Sequence, residues 1–411
     1  MLILMAWRNI WRNKRRSLIT SFSVALGVFL AVTFTASGDY GYTNIINTSA
    51  AMGYGHVTIE PKGYNNAPSL DKVIPKADLI RSRVIDADGV VSASVKISGQ
   101  AMFATASRSI GGAFLAVYPD QEGAAENIFI RSIIEGELFD GPDGIGVVIG
   151  QKMAEKLDLK IGKKLIYTMT DINGEIVGQI ARVTGIYKTG VDDVDSSMVI
   201  LPIDRVRKTL GYEEGDATMI SIFSDDSRRS LSIRDSLRDS IDGSSLDILT
   251  WQETQADIAG MITVDRTMNY LSQLLFGVLI AAGILNTMLM SVLEQKREFG
   301  VMLAVGLPPW RLFLLVVVES LIIGVIGLIL GIIITTPWYI YMSRTGIDLG
   351  GLMEEGTDVG GVLLDTVMKF RLYKESAIAI LAGVFSLTIL AGLYPAYKAG
   401  RIPPVESIKE I

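Results

Sequence analysis

Apolar residues in this chain are gathered into four long runs that carry almost no charge. The runs cover residues 17–37, 268–292, 312–341 and 376–394, and Glu319 is the single charged residue within them. An apolar helix of about 20 residues crosses the roughly 30 Å hydrocarbon core of a bilayer. The pattern therefore favours four transmembrane helices over buried helices of a soluble protein. The first run could also be a signal peptide, but its length of 21 residues favours an uncleaved anchor.

Residues 38–267 follow a different pattern, in which short alternating runs are mixed with short helical ones. Alternation and β-branched residues predict strands, and apolar spacing predicts helices. The expected strands are 56–60, 90–97, 100–105, 113–118, 164–170, 176–186, 198–201 and 219–223, and the expected helices are 77–85, 150–157, 203–210 and 231–241. Asn173 and Gly174 are expected to supply the positive φ angles of a tight hairpin turn. We predict an α+β domain of two lobes.

The segment before the second span is predicted to be a helical stalk. Ile258, Met261, Ile262 and Asp265 fall at helical spacing, so the helix of that span should begin outside the membrane. The remaining predicted segments are an amphipathic cytoplasmic helix, a coupling segment, an outer loop and a cytoplasmic tail, at residues 1–16, 293–311, 342–375 and 395–411.

Charge sets the predicted orientation. Five Lys or Arg residues and no acid lie between positions 8 and 16, and further cations flank the segment between spans two and three and the tail. Cytoplasmic segments of membrane proteins carry this excess, so both termini are predicted to be cytoplasmic. The outer segment 39–266 contains 23 Lys and Arg against 33 Asp and Glu. Its net charge of −10 places the acidity of the chain, −6 overall, in the outer domain.

Composition excludes several kinds of chemistry. The chain has no cysteine and one histidine, which rules out thiolate chemistry, disulfides and two-histidine metal motifs. Its acidic balance argues against a nucleic-acid partner. Neither the G-x-x-x-x-G-K-[ST] nor the G-x-S-x-G motif occurs. We therefore expect no catalytic residue, no metal site and no ATPase activity in the chain itself.

A few single residues still deserve a functional hypothesis. His56 could be a general base, although a hydrogen-bonded or surface histidine is favoured. The acidic residues Asp192, Asp193 and Asp195 could bind a cation, but a solvated turn is favoured, because the spacing is not that of an EF-hand loop. Glu319 could be a proton or substrate site within its span, with an interhelical hydrogen bond or a snorkelled carboxylate favoured. Small residues in the third span predict close helix contacts, at Gly324, Gly327 and Gly331.

The segment between spans two and three predicts a short amphipathic helix. Residues 294–298 are charged, and Phe299, Met302 and Leu303 then form one apolar face before Gly306 and two prolines end the helix. Such a helix either lies on the lipid surface or docks into a partner protein.

Three cytoplasmic motifs carry a resemblance to a known family. MAWRNIWRNKRRSLIT precedes span one, EQKREFGVMLAVGLPPWRL lies between spans two and three, and GLYPAYKAGRIPPVESIKE follows span four. Together with the four-span layout and the large domain between spans one and two, they resemble the FtsX/MacB-type (type VII) ABC transporter permeases. The resemblance covers nearly the whole chain. It implies a MacB-like periplasmic core domain and an FtsX-like membrane part.

The resemblance implies a function without catalysis by this chain. Such permeases pair with a second permease, identical or different, and with two copies of a cytoplasmic ATPase that binds ATP and Mg. The implied ATPase-docking residues are Glu294, Lys296, Arg297, Glu298, Phe299, Met302 and Leu303, with Arg8, Arg12 and Arg16 on a surface helix beside them. Movement of spans one and two would reach the outer domain through the stalks, a mechanism called mechanotransmission. The implied location is the bacterial inner membrane.

Within the family, the outer domain is most similar to permease subunits of lipoprotein-releasing systems. Acyl chains would then occupy a cavity between spans one and two, whose candidate walls are Val28, Phe29, Val32, Phe34, Met268, Leu271, Leu275 and Val278. A periplasmic lipoprotein chaperone or adaptor is a candidate partner, although the turn DINGE is shorter than the hairpin of the chaperone-recruiting subunit type. MacB-like export of peptides or small molecules and FtsX-like control of a cell-wall hydrolase are the alternatives.

Overall fold

The computed structural model describes residues 2–12, 14–241, 245–348, 358–359, 362–363 and 367–401. The chain forms two compact bodies. The helical body contains the described residues of 1–41, 263–348 and 367–411, and the sheet body those of 42–262 and 349–366. The α-helices are α1 (Leu2–Arg12), α2 (Lys14–Ser49), α3 (Ala77–Val84), α4 (Ile128–Arg131), α5 (Gln151–Leu157), α6 (Asp192–Ser197), α7 (Ile203–Leu210), α8 (Ser230–Ser240), α9 (Trp251–Thr254), α10 (Ala256–Glu294), α11 (Lys296–Ala304), α12 (Pro309–Arg344) and α13 (Lys374–Gly400).

Four of these helices are long and apolar enough to cross a membrane, which confirms the predicted class. They are α2, α10, α12 and α13, with 36, 39, 36 and 27 residues. At 1.5 Å per residue, α2 and α10 extend over about 54 and 58 Å, well beyond the hydrocarbon core. Helix α10 begins at Ala256, as the helical spacing before span two predicted.

Close helix packing in the helical body depends on glycine. A Cβ atom on Gly327 would lie 2.6 Å from Cβ of Val24, and one on Gly331 would lie 2.8 Å from Cβ of Val28. Both valines are on α2, so α12 approaches α2 through the two glycines. Gly324 faces Thr388 of α13 at 3.0 Å in the same way. The small residues of the third span therefore pack as predicted.

The sheet body is built on ten strands that join in one sheet. The strands are β1 (Val57–Pro61), β2 (Val90–Ala104), β3 (Ser109–Val117), β4 (Ile133–Gly136), β5 (Gly146–Gly150), β6 (Lys164–Thr170), β7 (Ile176–Tyr187), β8 (Met198–Pro202), β9 (Met219–Ser224) and β10 (Leu246–Thr250). Short strands β11 (Ile347–Asp348), β12 (Asp358–Val359), β13 (Val362–Leu363) and β14 (Val367–Met368) pair as β11 with β14 and β12 with β13.

The long strand β2 belongs to two parts of that sheet. Its first half pairs with β9, which continues through β1 to β10 as an antiparallel sheet. Its second half pairs with β3 and β6, and the order β2-β3-β8-β5-β7-β6 returns to β2 as a closed ring. The two lobes stay a prediction, because both parts belong to one sheet. One apolar cluster runs through both, from Ile59 and Ile220 in the first to Phe103 and Leu165 in the second.

Some predicted elements differ in detail. The two predicted strands 90–97 and 100–105 are one strand, β2, which ends at Ala104, because Gly99 continues the extended backbone. The hairpin between β6 and β7 is confirmed, but only Gly174 has a positive φ, of 83°. Asn173 does not, because the Asp171 carboxylate accepts the backbone N–H groups of Asn173 and Glu175, at 2.9 and 2.8 Å, and thereby shapes a five-residue loop.

Strands β4, β5 and β10 were not predicted. They have four or five residues each, and β5 is buried at every position. A strand covered on both faces shows no alternation of apolar and polar residues.

Candidate functional site

Helix α11 is a separate element between two membrane helices. The backbone of Gln295 leaves the helical conformation after α10, and α11 then continues to Ala304. Gly306 turns the chain with a φ of 99°. Pro309 is the first residue of α12, a position whose backbone N–H has no partner within the helix, so a proline without that N–H costs no hydrogen bond there. The sequence thus fixes both ends of a nine-residue helix.

One face of α11 is buried in the chain itself. Phe299 has 1% of its surface exposed and packs with residues of α1, α10, α12 and α13, among them Ala6, Val292, Leu315 and Ala399. Met302 and Leu303 are half-buried against the same cluster. The prediction that Phe299 docks onto an ATPase is therefore wrong, since its ring has no free surface. Phe299 is the residue that anchors α11 to the membrane helices.

The opposite face of α11 is exposed and mixed in character. Arg297 and Ala304 are exposed, Val301 is 48% exposed, and Val305 just beyond the helix is 84% exposed. Arg297, Val301 and Val305 are four residues apart, and Ala304 lies three residues after Val301, so the four positions share one face. Exposed valines on a charged helix are the type of surface that partner proteins cover. The same valines border an apolar groove of about 880 Å³, which Ile3, Leu314 and Val318 also line.

Glu294 and Glu298, two of the predicted docking residues, are engaged within the chain. The Arg12 guanidinium lies 2.7 Å from a carboxylate oxygen of Glu298, and Arg16 forms an ion pair with Glu294. Lys296 is half-buried. Of the seven predicted docking residues, Arg297 is the one that combines exposure with a position on the valine face.

The predicted cavity residues separate into two groups. Val28 and Val32 of α2 are 1% and 8% exposed and pack beside Ile380 of α13, so their prediction as cavity walls is wrong. Phe29 packs near Trp338 of α12, with ring centroids 6.1 Å apart. Phe34 stacks on Phe276 of α10 at 5.5 Å and is still 43% exposed. Met268, Leu271, Leu275 and Val278 of α10 are all at least half exposed.

The exposed apolar residues of α2 match the prediction only in part. Leu18, Ile19, Phe22 and Leu26 are exposed and were not predicted, whereas Phe34 was predicted and is exposed. On α10 the exposed set also includes Leu274 and Leu279. The small or hydroxyl residues Thr20, Ser21 and Gly27 mark the packed face of α2. Since small residues concentrate at membrane-helix interfaces, this signal was present in the sequence.

Within the sheet body, the end of α2 is joined to the beginning of α10. Tyr42 and Ile46 pack against Trp251, Ile258 and Ile262 in one apolar cluster. The Ser49 hydroxyl also donates a hydrogen bond to the Gln255 side chain. The two helices are thereby linked through apolar contacts and a side-chain hydrogen bond.

His56 ties the same helix end to the sheet. The backbone N–H of Ser224 donates to Nδ1 of His56 at 3.1 Å, so Nε2 carries the proton and donates to Oδ1 of Asn47 at 3.1 Å. Burial lowers the pKa of His56 to about 4, since the charged imidazole would lose its hydration. Both ring nitrogens are occupied, as the hydrogen-bonded alternative predicted, and no general base is available here.

The remaining candidates have structural roles. Asp195 is buried, where it accepts hydrogen bonds from the Thr189 backbone and hydroxyl at 2.9 and 2.6 Å, so the predicted solvated turn is wrong at this position. Asp192 lies 3.6 Å from Lys152. The described residues contain no group of acids or histidine that could hold a metal ion. Glu319 accepts a hydrogen bond from Asn9 of α1 at 2.6 Å, as the interhelical alternative predicted.

Comparison with protein families matches almost the entire chain. Residues 17–239 match the MacB-like periplasmic core domain, and residues 271–404 match the FtsX-like permease C-terminal domain. The chain belongs to the FtsX/MacB-type ABC transporter permeases. It is a multi-pass membrane protein of this family, and the resemblance inferred from its three cytoplasmic motifs is confirmed.

Named relatives of this permease have several functions. An uncharacterised ABC transporter permease of Methanocaldococcus jannaschii is 26% identical over 99% of this chain and 97% of its own length. The lipoprotein-releasing system transmembrane protein LolC of Xylella fastidiosa strain Temecula1 is 21% identical over 97% and 96%. The pyoverdine export ATP-binding/permease protein PvdT of Pseudomonas entomophila is 25% identical over 98% of this chain and 58% of its own length. The crystal structure of the periplasmic region of MacB from Actinobacillus actinomycetemcomitans covers 52% of this chain and 97% of its own, with 13% identity and a TM-score of 0.36.

Proposed function

We propose that this permease couples ATP hydrolysis by a separate cytoplasmic ATPase to the extraction of lipoproteins from the inner membrane, for transfer to the outer membrane. The observation that carries the coupling role is the two-sided character of α11. Its Phe299 face is held by four helices of the chain, and its Arg297, Val301, Ala304 and Val305 face is free. A helix so anchored transmits a force applied to its free face instead of rotating in place.

The proposed path of that force follows α2 and α10. Both helices are far longer than a bilayer requires, and Tyr42, Ile46, Trp251, Ile258 and Ile262 join their far ends. A helix with every backbone hydrogen bond in place is stiff along its axis. Tilting the two spans would therefore move the joined ends together, which is the mechanotransmission expected from the family.

The proposed topology places α1, α11 and both termini in the cytoplasm and the sheet body in the periplasm. The excess of Lys and Arg beside the spans and the net charge of −10 between residues 39 and 266 support this arrangement. In it, two permeases, identical or different, pair on an ATPase dimer that binds ATP and Mg.

The lipoprotein substrate is the finer part of the proposal. LolC proteins from three strains match the chain at 20–21% identity. A surface of exposed apolar side chains on α10, with Met268, Leu271, Leu275 and Val278, offers acyl chains a continuous apolar path. A periplasmic lipoprotein chaperone or adaptor would receive the extracted molecule.

A second candidate function is MacB-like export of peptides or small molecules from the periplasm. The observation in its favour is the match to PvdT and to the macrolide export protein MacB, at 25% and 23% identity. FtsX-like control of a cell-wall hydrolase is a third, because the FtsX-like model matches residues 271–404. Neither of these functions requires an acyl-chain path on α10.

Reconstitution tests these functions together. Permease and ATPase are placed in liposomes that contain a fluorescent triacylated lipoprotein, and release to a soluble lipid-binding acceptor is followed after ATP is added. We expect release from wild type, and little release after Leu271→Asn and Leu275→Asn together. Val264→Asn, on the same helix and equally exposed, is the control. ATP hydrolysis without any release of lipoprotein would contradict the proposed substrate and favour the export or signalling functions.

A further inference from the structure

Helix α1 is held between two environments. Its Ala6 and Ile10 are buried among residues of α2 and α10 to α13, in two apolar clusters. Its other side exposes Ile3, Leu4, Trp7 and Trp11, and Trp7 and Trp11 meet edge to face at 5.8 Å. Exposed tryptophans beside arginines are typical of a helix at the membrane surface. The exposed side of α1 thus has the composition of a membrane-surface helix, while its other side is built into the helical body.

The same helix is joined to α11. Ala6 of α1 and Phe299 of α11 belong to one apolar cluster, and Arg12 at the end of α1 pairs with Glu298 at 2.7 Å. The cluster fixes the spacing of the two helices, and the ion pair fixes their register. A displacement of α11 must thus displace α1 or break both contacts.

Helix α1 is also joined to the membrane helices that would have to move. The Asn9 side chain donates to Glu319 of α12 at 2.6 Å, and the Ser17 hydroxyl of α2 donates to the Ile10 carbonyl at 3.0 Å. Arg16, near the start of α2, pairs with Glu294 at the end of α10. A small cavity of about 20 Å³ lies where these polar groups meet.

We propose that α1 is a second coupling element, which moves with α11 as one body and transmits its displacement to α2 and α12. In this arrangement Arg12 and Glu298 are positioning residues that act through one another, and neither binds the ATPase. Asn9 and Glu319 form the connection from α1 to the third span. The inference rests on the proposed function, because it concerns how a force received by α11 is distributed.

Charge reversal tests the pairing of α1 with α11. The half-exposed Arg12 and Glu298 add little to folding, so their loss should appear in coupling. We expect Arg12→Glu and Glu298→Arg each to lower lipoprotein released per ATP hydrolysed by about fivefold or more. The double variant should recover most of the wild-type ratio. Arg15→Glu is the matched control, since Arg15 is exposed and forms no ion pair within the described ranges. All four variants should co-purify with the ATPase.

A cross-link tests whether the two helices move as one body. Because the chain has no cysteine, cysteines introduced at Arg12 and Glu298 can be joined by a short bismaleimide without other reaction sites. We expect the cross-linked protein to transport as well as wild type. A cross-link that forms fully and stops transport would show that α1 must move relative to α11, and would overturn the inference.

The connection to the third span has its own conservative variant. Glu319→Gln keeps an oxygen that accepts the Asn9 hydrogen bond, whereas Glu319→Leu removes it. We expect the ratio of release to ATP hydrolysis to be retained in the first and lost in the second, with both proteins bound to the ATPase. Equal ratios in both would overturn this part of the inference.

Failure of the inference can be distinguished from failure of the proposed function. If wild type neither binds an ATPase nor releases lipoprotein, the proposed function fails before any variant is compared. If wild type does both, and Arg12→Glu and Glu298→Arg leave the ratio unchanged, only the inference fails. Loss of ATPase binding in Glu298→Arg that Arg12→Glu does not restore would instead make Glu298 a docking residue.

Discussion

Two substitutions on opposite faces of α11 should affect different properties, one the stability of the permease and the other its docking to the ATPase. Phe299→Ala removes a ring that is 1% exposed and touches four helices, and Val301→Asp changes a side chain that is 48% exposed. Burial of a phenylalanine contributes about 1.5–3 kcal/mol, and the cavity left by its truncation brings the usual loss to about 3–5 kcal/mol. Val301→Asp creates no cavity and no buried charge in the isolated permease, so its stability should change by less than about 0.5 kcal/mol.

The assay has two parts. Thermal unfolding of the purified permease in detergent measures stability, and size-exclusion chromatography with the cognate ATPase measures docking. We expect Phe299→Ala to lower the unfolding temperature and Val301→Asp to leave it unchanged while abolishing the complex, because docking would bury the new charge. Val301→Ala is the control for size. If Val301→Asp unfolds at the same lowered temperature as Phe299→Ala, or still binds the ATPase, the exposed face of α11 is not the docking face.

Three further predictions concern stability and follow from single contacts. The pKa of His56 is about 4 in the folded chain and about 6.5 when unfolded, so the unfolded chain gains this proton first on acidification. Between pH 7.5 and 5 the free energy of unfolding of wild type should therefore fall by about 2 kcal/mol relative to that of His56→Gln; parallel pH profiles would contradict this. Gly327→Ala should lower the free energy of unfolding by about 1–3 kcal/mol in thermal unfolding, because its Cβ would lie 2.6 Å from Val24. Gly283→Ala is the control, since the space around Gly283 is open, and equal effects of the two variants would contradict the close packing. Glu122→Gln should lower the free energy of unfolding by about 3–5 kcal/mol in the same assay, because the fully buried Lys96 ammonium, 3.1 Å from Glu122, loses its charged partner. Adding Lys96→Met should recover most of that loss; no recovery would mean that the carboxylate acts through Asn127 instead.

The fold was largely predictable because its signals are local. Uncharged runs define the membrane helices, and alternation defines strands such as β6, whose limits agree with the prediction. Strand β5 was missed because burial on both faces removes the alternation. The order of the strands in the sheet could not be predicted from local patterns, because the closed ring depends on β6 pairing with β2 across about 60 residues of chain.

The sequence located the candidate site at α11, but it did not show which face of the helix is buried in the chain and which is exposed. The pattern of Phe299, Met302 and Leu303 correctly identifies an apolar face, and it does not say whether that face meets another protein or the same chain. Four neighbouring helices cover it here, and the exposed face follows from that packing. Likewise, Val28 and Leu26 are both apolar, and the packing of α2 against Gly331 of α12 and Ile380 of α13 is what buries Val28.

In the proposed mechanism, nucleotide binding on a cytoplasmic partner moves the joined ends of α2 and α10. A single spin label at Val264, an exposed position where α10 leaves its joined end, gives one distance when two copies of this permease pair, and a label on the partner supplies the second spin when the two permeases differ; this chain has no cysteine of its own to interfere. Double electron–electron resonance would measure that distance with and without a non-hydrolysable ATP analogue. We expect a shifted distance in the wild-type complex and no shift with Val301→Asp. An unchanged distance in a wild-type complex that binds the analogue would contradict it.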